Sequence, residues 1–247
     1  MNTKKQLTFI TLENIPLIKK GDDLSEIIIA CLKHQNISLI DGDIIVIAQK
    51  IISKSEGRLI ELTTIVPSKK AKALAKITLK DARFIELVLK ESKKVIRSGL
   101  NTLIVEHKHG FICANAGIDH SNVSENGEKS DNWVLLLPEN SDESARIIKE
   151  KLQNKLSVRI GILIIDSHGR AWRNGTVGVT IGISGIPGLV DLRGQKDLFG
   201  YKLKVTTIGA SDELAAGASL LMGQASEGTP CIHVRELIRP VDQDLFR

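Results

Sequence analysis

The chain has 247 residues, 42% of them hydrophobic and 26% charged, with 20 Gly and 6 Pro. That is ordinary globular composition, long enough to bury a core without disulfide staples, and it excludes a low-complexity or repeat architecture. A net charge of +5 and a pI near 9.0 suit anionic ligands such as phosphates, and equally suit nucleic acid or a surplus of charge kept for solubility.

In chain order, a helix is predicted over residues 22–33, with Leu24, Ile27, Ile28 and Cys31 at helical spacing. A buried strand follows at 43–48 and empties into a basic loop at 49–58. Ser68 caps a Lys-rich helix, and Asp81 caps a second with Phe84, Leu87 and Val88 on one face. Lys-rich helical character is also read at 90–97. Strands at 102–105 and 110–114 flank the hairpin loop His107-Lys108-His109-Gly110. The polar stretch 121–132 reads as a loop or boundary.

Ser141 begins another helix, with Asp142 and Glu143 in its first turn and Ala145, Ile148 and Leu152 facing inward. A strand at 158–165 is the most apolar in the chain. In the strand at 176–184, Gly178 and Gly182 mark the close approach of another backbone or a ligand. Ser211-Asp212-Glu213 opens a helix over 214–222 that Gly223 ends, and a last strand is read at 231–234. Strands and helices alternate irregularly, so the expected class is α/β or α+β, with mixed sheets and flanking helices. One domain over 1–247 is expected, with 121–132 as the place where two subdomains would divide.

Cys31, Cys113 and Cys231 are odd in number and lack C-x-x-C spacing, which points to reduced, buried thiols rather than a disulfide framework or zinc ribbon. No apolar run approaches the roughly 18 residues needed to span a bilayer. The apolar stretch after Met1-Asn2-Thr3-Lys4-Lys5 is interrupted by Thr11, Glu13, Asn14 and Pro16, unlike a secretion signal. A cytoplasmic protein with no membrane partner is expected.

Five segments offer chemistry. After the strand at 110–114, Asn115-Ala116-Gly117 permits a tight turn, and Asp119 and Asn122 then supply oxygen atoms suited to a hard cation such as Mg²⁺ or Mn²⁺. By spacing alone, a turn or capping role is the plainer reading. Asp166 and Ser167 follow the apolar strand at 158–165, where open α/β sheets place ligands, and Arg170 and Arg173 could neutralise phosphate oxygens. Gly175, Gly178, Gly182, Gly185 and Gly188 match neither a Walker loop nor a Rossmann fingerprint. Met222-Gly223-Gln224-Ala225-Ser226-Glu227-Gly228-Thr229-Pro230 would let backbone N–H groups approach phosphate, with the Gln224 oxygen available to a metal. Gln49, Lys50 and Lys54 lie in the basic segment after 43–48, which could receive phosphates or simply be solvated. His120 and His168 beside the two aspartates leave open a metallohydrolase with mixed Asp and His ligands. The basic pI leaves open a nucleic-acid-binding module, although aromatic stacking residues are scarce at 3%.

Taken in order, Ser53-Lys54-Ser55-Glu56-Gly57-Arg58, Asn115-Ala116-Gly117-Ile118-Asp119, Asp166-Ser167-His168-Gly169-Arg170, Ile181-Gly182-Ile183-Ser184-Gly185 and Leu221-Met222-Gly223-Gln224 resemble the coenzyme F420:L-glutamate ligase family. The resemblance runs from Ile15 to Arg235; Glu236 stands where the family often has Gly, and the tail beyond looks unlike it. It implies an intertwined homodimer, with no room in this length for the C-terminal flavin-binding domain of some relatives. It implies a GTP-dependent ligase that adds L-glutamate to the F420 precursor through an acyl phosphate, with two divalent ions and a potassium ion, and no nucleic acid. By this resemblance, Asp119, Asn122, Asp166, Ser167 and Gln224 match metal-binding positions. Ile15, Pro16, Leu17, Ile18, Gln49, Lys50, Lys54 and the loop from Met222 through Thr229 match nucleotide-contacting positions. An amide ligase with another acceptor is the nearest alternative.

Overall fold

The computed structural model describes residues 6–123 and 132–237. Its first half contains β1 (Gln6–Thr11), α1 (Leu24–His34), β2 (Ile44–Ala48), α2 (Gln49–Ser55), β3 (Leu59–Glu61), α3 (Lys69–Thr78), α4 (Ala82–Lys90), β4 (Ser92–Gly99), β5 (Thr102–His107) and β6 (Ile112–Ala114). The second half contains β7 (Trp133–Leu135), α5 (Ser141–Leu156), β8 (Gly161–Gly169), β9 (Thr176–Ser184), β10 (Val190–Asp191), β11 (Thr207–Ile208), α6 (Ala210–Met222) and β12 (Cys231–Leu237). Among the described residues, no helix is long and apolar enough to cross a membrane.

The main sheet has five strands in the order β1-β12-β2-β8-β9. β2 and β8 run parallel and the other neighbours antiparallel, so the sheet is mixed, as expected. β2 and β8 are covered on both faces, which is why they read as unbroken aliphatic runs. Alternate residues serve opposite faces. Ile45, Ile47, Ile162 and Ile164 pack with Ile28 and Leu32 of α1 and Ile148 and Leu152 of α5. Ile44, Val46, Leu163 and Ile165 pack with Leu214, Ala215 and Ala218 of α6. β9 runs between the two helical layers. A Cβ on Gly182 would stand 2.5 Å from the Ser141 carbonyl oxygen, and one on Gly178 would stand 2.5 Å from that of Ala215. The close approach marked by these glycines is therefore to helix backbone.

A further core gathers Leu62, Phe84, Ile85, Val88, Leu103, Val105, Ala116 and Val134. It is enclosed by α3, α4, the three-stranded sheet β4-β5-β6 and the β3–β7 pair. The expected hairpin is present, with Ile104 opposite Ala114 and Val105 opposite Cys113.

Several expectations are corrected. Residues 49–58 do not form a simple loop: Gln49–Ser55 is helix α2, because Ile51 and Ile52 turn inward to the core beneath β2. The Lys-rich helix read at 90–97 ends at Lys90, and Ser92–Gly99 forms edge strand β4, paired with β5. β8 starts at Gly161 rather than 158 and continues to Gly169, because β9 pairs along it as far as Gly169 opposite Thr176. Asp166 thus lies within a strand rather than after one. The stretch 124–131, most of the expected boundary, lies outside the described residues.

Asp43 ties β2 to β12. Its carboxylate is 1% exposed. It accepts from Arg235 Nε at 2.8 Å and from the Ile40 N–H at 2.9 Å, with His233 Nε2 at 2.9 Å. Burial pushes its pKa up, but the Arg235 and His233 side chains and the Ile40 N–H outweigh this and hold it at about 2. A carboxyl group held below its unfolded value of 3.8 contributes stability that is complete above that value and is lost as pH falls through about 2. Asp43→Asn is expected to lower unfolding free energy by about 3 kcal/mol at neutral pH. The gap from the parent should close in urea melts as pH is lowered through the window from 3.8 to about 2. Gly182→Ala should lose about 2 kcal/mol in the same melts, whereas Gly169→Ala, whose Cβ would meet nothing within 4 Å, should lose none.

Candidate active site

The ladder between β2 and β8 ends with Ala48 opposite Ile165. Beyond that pair the chain from β2 turns away into α2, while β8 runs on through Asp166 and Ser167. Open sheets leave a crevice at the C-terminal ends of parallel strands. Here a cleft of about 730 Å³ opens, lined by Ile15, Pro16, Leu17 and Ile18, by Gln49, Lys50 and Lys54 of α2, and by Asn122, Asp166 and Ser167. The loop from Met222 through Gly223, Gln224, Ala225, Ser226, Glu227, Gly228 and Thr229 closes the remaining side.

Asp119 adjoins this lining through a rigid support. Asn115, Ala116 and Gly117 all have positive φ, at 53°, 54° and 64°. Ala116 is fully buried despite that disfavoured backbone, at a local cost of about 1 kcal/mol. The turn reverses the chain after β6 and delivers Asp119 to β7, where its N–H and C=O bond Leu135 at 3.0 and 2.9 Å. With both backbone groups fixed, the side chain is aimed. Asp119 Oδ2 accepts from Gln49 Nε2 at 2.8 Å and lies 3.5 Å from Lys50 Nζ. Gln49 is itself held, its Oε1 accepting from Ser53 Oγ at 2.9 Å. Burial pushes the Asp119 pKa up; Lys50 and Gln49 oppose this, the negative charge of Asp166 adds to it, and the result is about 6. The two aspartates, 47 positions apart in the chain, are close enough to feel one another.

Strand alternation divides the donors on β8 into two sets. Asp166 turns toward the β6 side, where its charge raises the pKa of the buried Cys113 thiol, itself pushed up mainly by burial. Ser167 turns toward the end of α6 and donates from Oγ to Gln224 Oε1 at 2.8 Å. Asn122 Nδ2 donates to the Ala225 carbonyl at 2.8 Å, tying the turn after Asp119 to the same loop. Lys50 Nζ reaches Ser121 Oγ at 3.0 Å, and Lys54 Nζ reaches the Asn122 carbonyl at 2.9 Å. Burial, then the neighbouring Lys50, lowers the Lys54 pKa.

The structure therefore brings Asp119, Asn122, Asp166, Ser167, Gln224 and the α2 cations around one cleft. It does not bring Arg170 or Arg173 to the lining: Arg170 Nη2 donates to the Asn174 carbonyl at 3.1 Å. Sequence reasoning also missed Val123 and Ser219, which line the cleft, and the role of Gln49 as the group that holds Asp119. No local signal marks that role, because the contact spans 70 positions.

The donor chemistry fits a divalent cation. Two neighbouring carboxylates, one partly buried and short of positive charge, are accompanied by hydroxyl and amide oxygens, a hard-donor set suited to Mg²⁺ or Mn²⁺. No group of three or more His, Cys, Asp or Glu residues that could hold a metal occurs among the described residues, so a mixed Asp and His cage is not assembled there. Phosphate oxygens and water would have to complete the coordination.

The F420-0:gamma-glutamyl ligase family model matches residues 13–236. The coenzyme F420:L-glutamate ligase of Methanocaldococcus jannaschii is 42% identical, over 99% of this chain and 98% of its own. Those of Methanothermobacter thermautotrophicus and Methanopyrus kandleri are 41% and 40% identical, each over 98% of this chain and 99% of its own. With matches of this extent and a cleft at the motif residues, the chain belongs to the F420-0:gamma-glutamyl ligase family.

Proposed function

We propose that this chain joins L-glutamate to the coenzyme F420 precursor, using GTP as phosphoryl donor and two divalent cations, Mg²⁺ or Mn²⁺. The observation that carries the reading is a cleft that gathers Asp166, Ser167, Lys50, Lys54 and the 222–229 loop, with Asp119 held beside it by Gln49 and Lys50. The names of the relatives support the acceptor and the amino acid. Three free cysteines, all buried, suit a reducing compartment such as the cytoplasm.

Amide formation from a free carboxylate is uphill, so the carboxylate must first gain a leaving group. The γ-phosphoryl of GTP passes to a carboxylate oxygen of the precursor, giving an acyl phosphate and GDP. The amine of glutamate then attacks the carbonyl carbon, the C–O bond to phosphate breaks, and the amine releases a proton to solvent. Each added glutamate brings a new carboxylate, so the same chemistry extends a γ-linked tail. Lys50 and Lys54 offset phosphate charge, and the glycines at 223 and 228 let the loop approach it closely. Divalent ions supply further neutralisation of the phosphoryl group. Asp119 and Asp166 would hold one, and Ser167 and Gln224, with Asn122 nearby, provide protein oxygens for the other. The two faces of β8 thus support two ion positions.

A homodimer is part of this reading. Residues 192–206 form an arm beyond the β10–β11 pair, bent back on itself with Lys196 bridged to Lys202. At its tip Leu198 and Phe199 are 98% and 95% exposed, and Val205 is also exposed. In a chain with only 3% aromatics, leaving Phe199, Tyr201 and Trp172 all uncovered favours docking against a second copy.

Purified chain incubated with precursor, glutamate, GTP and Mn²⁺ should yield glutamate adducts by mass spectrometry; no adduct with any nucleotide would sink the reading. Hydroxylamine in place of glutamate should trap a hydroxamate with release of GDP. Asp166→Asn should lower turnover by on the order of 100-fold with an unchanged melting temperature. Mn²⁺ affinity should fall as pH drops below about 6, where Asp119 takes up a proton that competes with the cation. By light scattering, the parent should run at twice the 27.0 kDa chain mass and a Leu198→Ser, Phe199→Ser double variant as a monomer; a monomeric parent would remove the dimer.

A further inference from the structure

His168 stands two positions beyond Asp166 on β8, and strand alternation makes the two side chains neighbours on one face. Its Nε2 lies 3.1 Å from Asp166 Oδ2. That nitrogen is buried and forms no aligned hydrogen bond with any described group. The separation falls within hydrogen-bond range, yet the pair does not form one. A buried ring nitrogen in that condition is unfavourable, so packing must hold the ring in place.

The packing comes from the other core. The His168 ring centroid is 5.4 Å from that of Phe111. Phe111 in turn stacks on His107, with centroids 5.0 Å apart and planes within 6°. His107 is 1% exposed, and its Nδ1 accepts the His109 N–H at 3.1 Å. A row of three rings therefore runs from the β5–β6 hairpin to the carboxylate of Asp166.

We propose that His168 is a positioning residue for Asp166: backed by Phe111 and His107, its Nε2 stands 3.1 Å from Oδ2, and a turn of the carboxylate toward a cation brings the two into a hydrogen bond that decides which carboxylate oxygen the cation meets. The inference rests on the reading of Asp166 as a cation ligand. Groups behind a metal-binding carboxylate tune affinity by orienting it, and their loss typically weakens metal binding 10–100-fold. The role belongs to the hydrogen-bonding edge of the ring rather than to its volume, which separates it from a purely structural one.

The test uses the full chain and Mn²⁺ alone, with the free ion followed by electron paramagnetic resonance and no nucleotide or substrate present. Asp166→Asn should lose binding. His168→Phe, which keeps a ring against Phe111 but cannot donate, should bind about 10-fold more weakly or worse. His168→Gln, which restores a donor, should return to within about threefold of the parent. Phe111→Leu, which leaves His168 intact but unbacked, should fall between the two. If Asp166→Asn binds like the parent, the underlying ligand reading fails. If Asp166→Asn loses binding while His168→Phe keeps parental affinity, the positioning role alone is overturned. The same holds if His168→Gln is as weak as His168→Phe. Should His168→Phe not fold, Phe111→Leu decides: weakened binding there beside near-parental His168→Gln supports the role, and parental affinity in Phe111→Leu, or weak binding in His168→Gln, overturns it.

Discussion

Asp119 carries a partly buried negative charge that its own surroundings do not balance. Gln49 and Lys50 contact one oxygen, and Asp166 adds a second negative charge nearby. The distance between an ordinary carboxyl pKa and about 6 corresponds to about 3 kcal/mol of penalty on the ionised form. The fold tolerates this because the backbone at Asp119 is fixed twice over: by the left-handed turn at Asn115, Ala116 and Gly117, and by the two hydrogen bonds to Leu135. A side chain on a freer segment would rotate into solvent and shed the penalty.

That constraint explains why the chain builds separate cores that meet at the cleft. The five-stranded sheet supplies Asp166 and Ser167 at the point where β2 leaves its parallel partner. The smaller sheet and its helices supply Asp119 and Asn122 through the turn after β6. α2 is the joint between them: Ile52 is anchored under the main sheet, while Gln49, Lys50 and Lys54 reach across to residues 119–122. The seven residues of α2 thus convert packing in one core into aim for a carboxylate of the other.

Much of the main sheet was legible because burial on both faces writes β2 and β8 as aliphatic runs, and because Gly178 and Gly182 sit where helices touch β9. The Asp81 cap and the apolar face of α4 were equally local signals. α2 was not legible, since its N-cap, Ala48, offers no side-chain hydrogen bond and its Ser and Lys content resembles a loop. β4 misled for a related reason: Lys93, Lys94 and Arg97 lie on an edge strand, where charge discourages further pairing but imitates a helix surface. β1, the other missed long strand, lies at the sheet edge and is only half buried. At the site, each motif was visible by itself, whereas the approach of Asp119 to Asp166 depends on tertiary contacts that no spacing encodes.

The two perturbed groups of the cleft point the same way. Burial raises the pKa of Asp119 and lowers that of Lys54, so the cleft's own residues disfavour the charged form of both. In the function proposed above, each lacks what the other ligand brings: a cation relieves Asp119, and phosphate oxygens relieve Lys54. A cation entering alone would leave Lys54 under the same penalty, and a triphosphate entering alone would add negative charge beside two aspartates. Only the nucleotide with its cation corrects both at once, so each ligand should strengthen the other's binding, by the same factor in either order of addition. Preference for the complex over either component follows from where two side chains are buried, without any movement of the fold.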